Sequence, residues 1–212
     1  LPDYPFRGHR VEVRPGVHMH YLDEGPRDGE IVLMLHGNPS WSYYWRHLVL
    51  GLRDRYRCIV PDHIGMGWSD KPDDARNASP RYDYTLASRV EDIGALLAHL
   101  GIDGPVTLAV HDWGGMIGFG WALEHMPQVK RLVITNTAAF PLPAEKPMPW
   151  QIALGRDYTV GEWIIRGFNA FSSGASWLGV ETRMPADVRR AYVAPYDSWA
   201  NRISTVRGVA GD

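Results

Sequence analysis

The feature that most constrains this chain is the apolar run Val106-Thr-Leu-Ala-Val110, which stops abruptly at His111-Asp112-Trp113-Gly114-Gly115. Strand-forming residues are followed at once by a glycine-rich segment of helical character. The chain therefore has to turn sharply, with Asp112 at the tip. A carboxylate placed there sits against the positive end of a helix dipole, which favours its ionised form. Ionised aspartate is a nucleophile that needs no activating base, and it suits displacement at carbon through a covalent ester. The competing use of an aspartate before a helix is a simple N-cap. Direct entry from the strand, and glycines that allow a tight bend and close helix packing, favour the nucleophile.

The rest of the first two-thirds alternates strands and helices around that turn. His9 to Arg14 and Val17 to Asp23 form a hairpin pair about Pro15-Gly16. Ile31 to Leu35 and Arg57 to Pro61 are short continuous apolar runs, as expected of strands buried on both faces. Ser42 to Arg53 has helical spacing, with Trp45, Leu48, Val49 and Leu52 on one side. The periodicity predicts a helix over Thr85 to Leu100, with Val90, Ile93, Leu96, Leu97 and Leu100 in one stripe and Gly101 as its stop. A helix from about Met116 to His125 and a strand from Arg131 to Thr135 follow. This alternation predicts an α/β architecture: a mostly parallel sheet with right-handed crossovers and helices on both faces. Ligands then bind beyond the carboxyl ends of the strands, where the turns at His36 to Pro39, Pro61 to His63 and His111 to Trp113 gather polar groups.

The texture changes near Phe140. Pro141, Pro143, Pro147 and Pro149 break regular structure, and the remainder is tryptophan-rich without new buried strands. The domain division is therefore 1–140 as the sheet-bearing core and 141–212 as a helical layer over the strand ends.

Composition excludes several classes. A formal net charge of −2 over 212 residues carries no nucleic-acid footprint. No apolar run is long enough to span a membrane, and no basic-then-apolar leader is present, so a soluble cytoplasmic protein is the expectation. The one cysteine, Cys58, lies in an apolar run and reads as a buried thiol, so no disulfide or thiolate metal site is expected. The histidines outside the turns lack metal-ligand spacing, and no metal or cofactor is expected. Nine tryptophans suit core packing and a pocket walled by large rings.

Two further residues attach to the chemistry of Asp112. The backbone N–H of Trp113 is placed to donate to a developing anion, and its indole N–H to point into a pocket. Asn38, in His36-Gly37-Asn38-Pro39, supplies a second backbone N–H and a side-chain amide. Read singly, Trp113 is a packing residue and Asn38 a turn residue before proline.

Together these stretches resemble the haloalkane dehalogenase group of α/β-hydrolases, an Asp-nucleophile branch that includes related β-lactone decarboxylases. The matching segments are Leu33-Met-Leu-His-Gly-Asn-Pro39, Val60-Pro-Asp-His-Ile-Gly-Met-Gly-Trp-Ser-Asp70 with Lys71-Pro72, and His111-Asp-Trp-Gly-Gly115. The resemblance implies an α/β-hydrolase fold with a helical cap over residues 141–212. It implies Asp112 as nucleophile, and Asn38 and Trp113 as oxyanion or halide donors. The substrate would be small and hydrophobic, with water as co-reactant and halide as product. His36 and His111 take supporting places in that pattern, and Asp62 and Asp70 hold the loop after the fourth strand.

The family's histidine and acid have no counterpart here: no histidine follows His125, and Asn136 stands where one branch carries its carboxylate. The chain thus reads as C-terminally incomplete, without the last strands and helix. It would be alkylated on Asp112 but would fail to hydrolyse the ester, acting once at most, with an open apolar sheet edge. Carbon–halogen hydrolysis is the leading expectation and β-lactone decarboxylation in olefin biosynthesis the second. Epoxide hydrolysis with Tyr158, Tyr192 or Tyr196 as acid follows, then a non-catalytic ligand-binding module. The tryptophans of the helical layer, Trp150, Trp163, Trp177 and Trp199, are candidates to line a tunnel.

Overall fold

The computed structural model describes residues 1–73, 78–137, 169–178 and 180–205. Within them six strands form one sheet: β1 (Gly8–Arg14), β2 (Val17–Glu24), β3 (Glu30–Leu35), β4 (Tyr56–Pro61), β5 (Val106–His111) and β6 (Val129–Thr135), in the order β1-β2-β4-β3-β5-β6. The hairpin β1–β2 is antiparallel, as is its junction with β4. The pairs β4–β3, β3–β5 and β5–β6 are parallel. The chain winds from β3 to β4 on one side and crosses back to β5 on the other, so the order switches between β3 and β5 and opens a crevice at their carboxyl ends, where this class of sheet binds ligands.

Side-chain alternation explains why the central strands read as unbroken apolar runs. On one face Leu33, Leu35, Ile59, Leu108 and Val110 join a core with Val90, Ile93, Leu96 and Leu97 of α2 (Leu86–His99) and Ile117 and Trp121 of α3 (Trp113–Glu124). On the other face Val32, Met34, Cys58, Val60 and Ala109 pack with Trp45 and Val49 beside α1 (Arg46–Leu52). Each strand has period two, and both faces are covered by helices. Burying each large aliphatic side chain of the α2 stripe contributes about 1.5–3 kcal/mol. Thr85 caps that helix, its hydroxyl accepting from the Ser88 N–H at 3.2 Å, and Gly101 ends it at φ 64°.

Three sequence expectations shift in detail. The segment from Ser42 opens as a 3-10 turn (Ser42–Trp45) before α1, and Leu48, expected on its buried side, is 36% exposed. The 3-10 turn rotates the following residues, so Val49 carries the packing instead. Helix α3 starts at Trp113, three residues earlier than periodicity indicates, because Gly114 and Gly115 enter the helix directly. Strand β6 starts at Val129.

Among the described residues β6 is the terminal strand. Leu132, Val133 and Ile134 on it are exposed, as are Leu123 and Met126 at the end of α3 and just beyond it. Of the helical layer, α4 (Ala170–Leu178) and α5 (Ala186–Val193) are described. Residues 141–168 and 206–212 lie outside the described residues, and with them Trp150, Trp163 and Tyr158. Cys58 is free and buried, and burial pushes its thiol up to about 12. No helix among the described residues is long and apolar enough to cross a membrane, and no group of three or more His, Cys, Asp or Glu gathers among them as for a metal ion.

Candidate active site

The turn at the end of β5 holds Asp112 at φ 51° and ψ −127°, backbone values that residues with a Cβ rarely adopt. Such strain persists only where the surroundings over-determine it, and here several contacts do. The Asp112 N–H donates to the Asn136 carbonyl at 3.3 Å. The Asp112 carbonyl accepts from the Gly115 N–H at 2.9 Å and from the Thr137 hydroxyl at 2.6 Å. Thr135 adds a hydroxyl bond to the Val110 carbonyl at 2.8 Å. The end of β6 thus braces the turn in place.

The glycines after the aspartate are required by close approach. A Cβ at Gly114 would collide with the Leu35 backbone carbonyl, and one at Gly115 with the Thr137 side chain. A Cβ at Gly37 would collide with the Asp112 side chain itself. The loop after β3 therefore lies directly against the carboxylate, and the Asn38 N–H donates to Asp112 Oδ1 at 2.8 Å. One N–H of the Asn38 amide donates to the Thr205 carbonyl at 3.4 Å, while its Oδ1 is buried without a partner among the described residues. The amide that the sequence offers to a leaving anion is thus partly engaged with the chain's own backbone.

A second carboxylate stiffens the base of this loop. Asp62, at the end of β4, is fully buried and accepts from the Ser42 N–H at 2.6 Å, the Trp68 N–H at 2.8 Å and His20 Nδ1 at 2.9 Å. Burial alone would raise its pKa, but the His20 bond and charge, with the Trp68 N–H, hold it below the ordinary carboxylate range. His36, also buried, bonds through Nδ1 to the Gly37 carbonyl at 2.8 Å and accepts the His63 N–H on Nε2 at 3.1 Å. Burial lowers the pKa of His36 and carries that of His63 well below the ordinary value, so both rings are neutral. Asp70 accepts from the His18 N–H at 2.8 Å and pairs with Arg10. These residues hold loops in shape, as the sequence indicates.

A cavity of about 320 Å³ opens over Asp112. Gly37, Asn38, Tyr44, His111 and Asn136 line its sheet side, and Ser172, Ser176, Met184 and Tyr192 its helical side. The structure thus brings Asp112 and Asn38 together at one site. Trp113, the first residue of α3, is half-buried and is not among the residues lining this cavity. Tyr196 is buried away from the cavity, its hydroxyl donating to the Ser40 carbonyl at 3.1 Å, whereas Tyr192 reaches the lining. Trp177 and Trp199 are exposed at 48% and 38%, and neither is among the residues lining this cavity. Thr137, which braces the turn, and Ser172, which lines the cavity, are positions that the sequence did not single out. Thr137 is signalled only by the small residue opposite it, and Ser172 lies in a helix whose register nothing in the sequence pins.

A strained aspartate between a parallel strand and a helix, under a glycine loop that donates a backbone N–H to its carboxylate, defines an α/β-hydrolase. Residues 30–186 match the family model described as alpha/beta hydrolase fold, and the chain belongs to that family. Its relatives are the haloalkane dehalogenases and the related β-lactone decarboxylases. The cis-3-alkyl-4-alkyloxetan-2-one decarboxylase of Xanthomonas campestris pv. campestris is 78% identical over 97% of this chain and 69% of its own length. The protein of the same name from Shewanella oneidensis is 53% identical over 97% of this chain, which spans 62% of that relative. Among solved structures, the haloalkane dehalogenase DbeA from Bradyrhizobium elkani superposes with a TM-score of 0.82 at 28% identity, covering 95% of this chain and 68% of that one.

Proposed function

We propose that Asp112 is the nucleophile of a β-lactone decarboxylation that converts a cis-3,4-dialkyl oxetan-2-one to an alkene and carbon dioxide. The observation that carries this reading is the 78% identity, across nearly the whole chain, to a protein named for that reaction. On that support we put the second reading of the sequence ahead of carbon–halogen hydrolysis. The strained turn, the Asn38 N–H on Asp112 Oδ1 and the cavity above them support a carboxylate attacking carbon.

The bonds balance as follows. Asp112 Oδ attacks ring carbon C4, forming an alkyl ester as the C4–O bond breaks and a free carboxylate appears on C3. The C3–carboxylate bond then breaks with loss of carbon dioxide. Its electron pair becomes the C3=C4 bond as the C4–Asp112 bond breaks, and the aspartate leaves unchanged. The Trp113 N–H, and the Asn38 N–H once it is released from Asp112 Oδ1 as that carboxylate is alkylated, are the donors for the oxygen that leaves C4. Water and an external base are not consumed. Hydrolysis of a haloalkane differs at the second step, since its alkyl ester has no carboxylate to expel and must be cut by activated water.

The experiment compares the two substrate classes on the purified protein. A cis-3,4-dialkyl β-lactone is expected to yield the alkene repeatedly, measured by gas chromatography. A 1-halobutane is expected to leave a stoichiometric butyl adduct on Asp112, read by intact and peptide mass spectrometry. Repeated halide release without alkene formation would overturn the assignment in favour of the dehalogenase reading.

A further inference from the structure

The cavity over Asp112 carries more polar groups than a displacement at carbon by a carboxylate requires. Ser172, projecting from α4, is 4% exposed, and its hydroxyl has no partner among the described residues. His111 lies across the same cavity at the end of β5, its ring stacked on Tyr44 at 4.3 Å between centroids. Its Nδ1 is likewise buried and unpartnered among the described residues. Burial holds the His111 ring neutral, so it presents one donor and one acceptor. Neighbouring Ser176 is different, because its hydroxyl already donates to the Ser173 carbonyl at 2.7 Å within α4.

A buried polar group without a partner costs stability, and a functional cavity is where such a cost is offset by a ligand. An alkyl halide offers only its halogen, which departs near Asn38, and it gives Ser172 nothing to bond. A lactone offers a second polar atom, the exocyclic carbonyl oxygen. We infer that Ser172 is a substrate-binding residue that donates its hydroxyl to the lactone carbonyl oxygen and selects β-lactones over alkyl halides. As the ring opens, that oxygen becomes part of the carboxylate on C3, so the same hydroxyl follows the developing charge. His111 adds a second unpartnered polar group to the same lining. This inference rests on the β-lactone reading and names the contact by which that substrate class is recognised.

The test uses the protein with Ser172→Ala, Ser172→Thr and, as the neighbouring control, Ser173→Ala. Three quantities are read: KM and kcat for the β-lactone, and the inhibition constant of an unstrained five-membered lactone bearing the same alkyl chains. Ser172→Ala is expected to raise both KM and the inhibition constant about tenfold, the size of one lost hydrogen bond to a ligand. Ser172→Thr, which keeps a hydroxyl, is expected to recover most of that loss, and Ser173→Ala to stay within about twofold because Ser173 does not line the cavity. A Ser172→Ala variant with unchanged constants, or a loss equal in Ser172→Ala and Ser173→Ala, overturns the inference and leaves decarboxylation standing. Failure of the unsubstituted protein to form alkene or to bind the five-membered lactone overturns the substrate class and the inference together.

Discussion

Two aspartates end strands on either side of β3, and their surroundings are opposite. Asp62, after β4, is saturated: two backbone N–H groups and an imidazole occupy its oxygens, and none of its carboxylate meets solvent. Asp112, after β5, accepts one N–H from Asn38, sits at a positive φ and faces a cavity. A carboxylate whose lone pairs are all engaged by rigid donors holds structure and cannot attack. One held by its backbone, with one oxygen unengaged among the described residues, is available for chemistry. On the proposed reading, reactivity follows from incomplete satisfaction of one carboxylate inside a frame kept rigid by full satisfaction of the other.

The comparison is broken most directly at Asp112. Asp112→Asn is expected to lower alkene formation by about a thousandfold or more, the scale on which nucleophiles act. It should also abolish the butyl adduct while moving unfolding free energy by less than about 1 kcal/mol, since Asn tolerates positive φ. Retained adduct formation by mass spectrometry would assign the nucleophile elsewhere. The converse is Asp62→Ala, expected to cost about 3 kcal/mol in urea titration because buried donors lose their acceptor. Should that variant instead remain stable yet inactive, Asp62 would belong to the chemistry and the contrast would collapse.

Gly37→Ala tests the join between the two regions. Its new methyl would meet the Asp112 side chain, so kcat is expected to fall about a hundredfold through misplacement of roughly an ångström, with a smaller change in stability. The smallest effect concerns pH. His36 and His63 are buried with lowered pKa values, so the folded state binds fewer protons than the unfolded chain. Their contribution is complete above the unfolded value near 6.5 and is lost as pH falls from there toward each folded value. The expected slope is up to about 1.4 kcal/mol per pH unit for each ring. Urea midpoints at pH 7.5 and 5.5 measure it, and a flat profile would show that both rings take up a proton in the folded state.

Much of this was legible in the amino-acid order. The runs at Ile31 to Leu35, Arg57 to Pro61 and Val106 to Val110 are apolar at every position because both faces of the sheet are covered, and a doubly covered strand carries no alternation. Asp112 stood out because a strand running straight into glycines leaves one way to turn. Leu48 was misplaced because periodicity assumes 3.6 residues per turn, and the 3-10 turn at Ser42–Trp45 resets that phase. Trp113 reads as lying beside the nucleophile, and it begins α3 directly after Asp112, because Gly114 and Gly115 let the helix start without a loop.

The sequence by itself therefore determined the parallel sheet, the sharp turn and the carboxylate at its tip, since these depend on local periodicity and on where glycine permits a bend. The tertiary structure alone decided which polar groups meet. Asn38 is 74 positions from Asp112 along the chain and bonds to it, while Ser172 and His111 share its cavity. Thr137 braces the turn across 25 positions. Hydrogen-bond satisfaction is a property of atoms brought together in space, so whether a given aspartate is saturated or left free is written only in the folded chain.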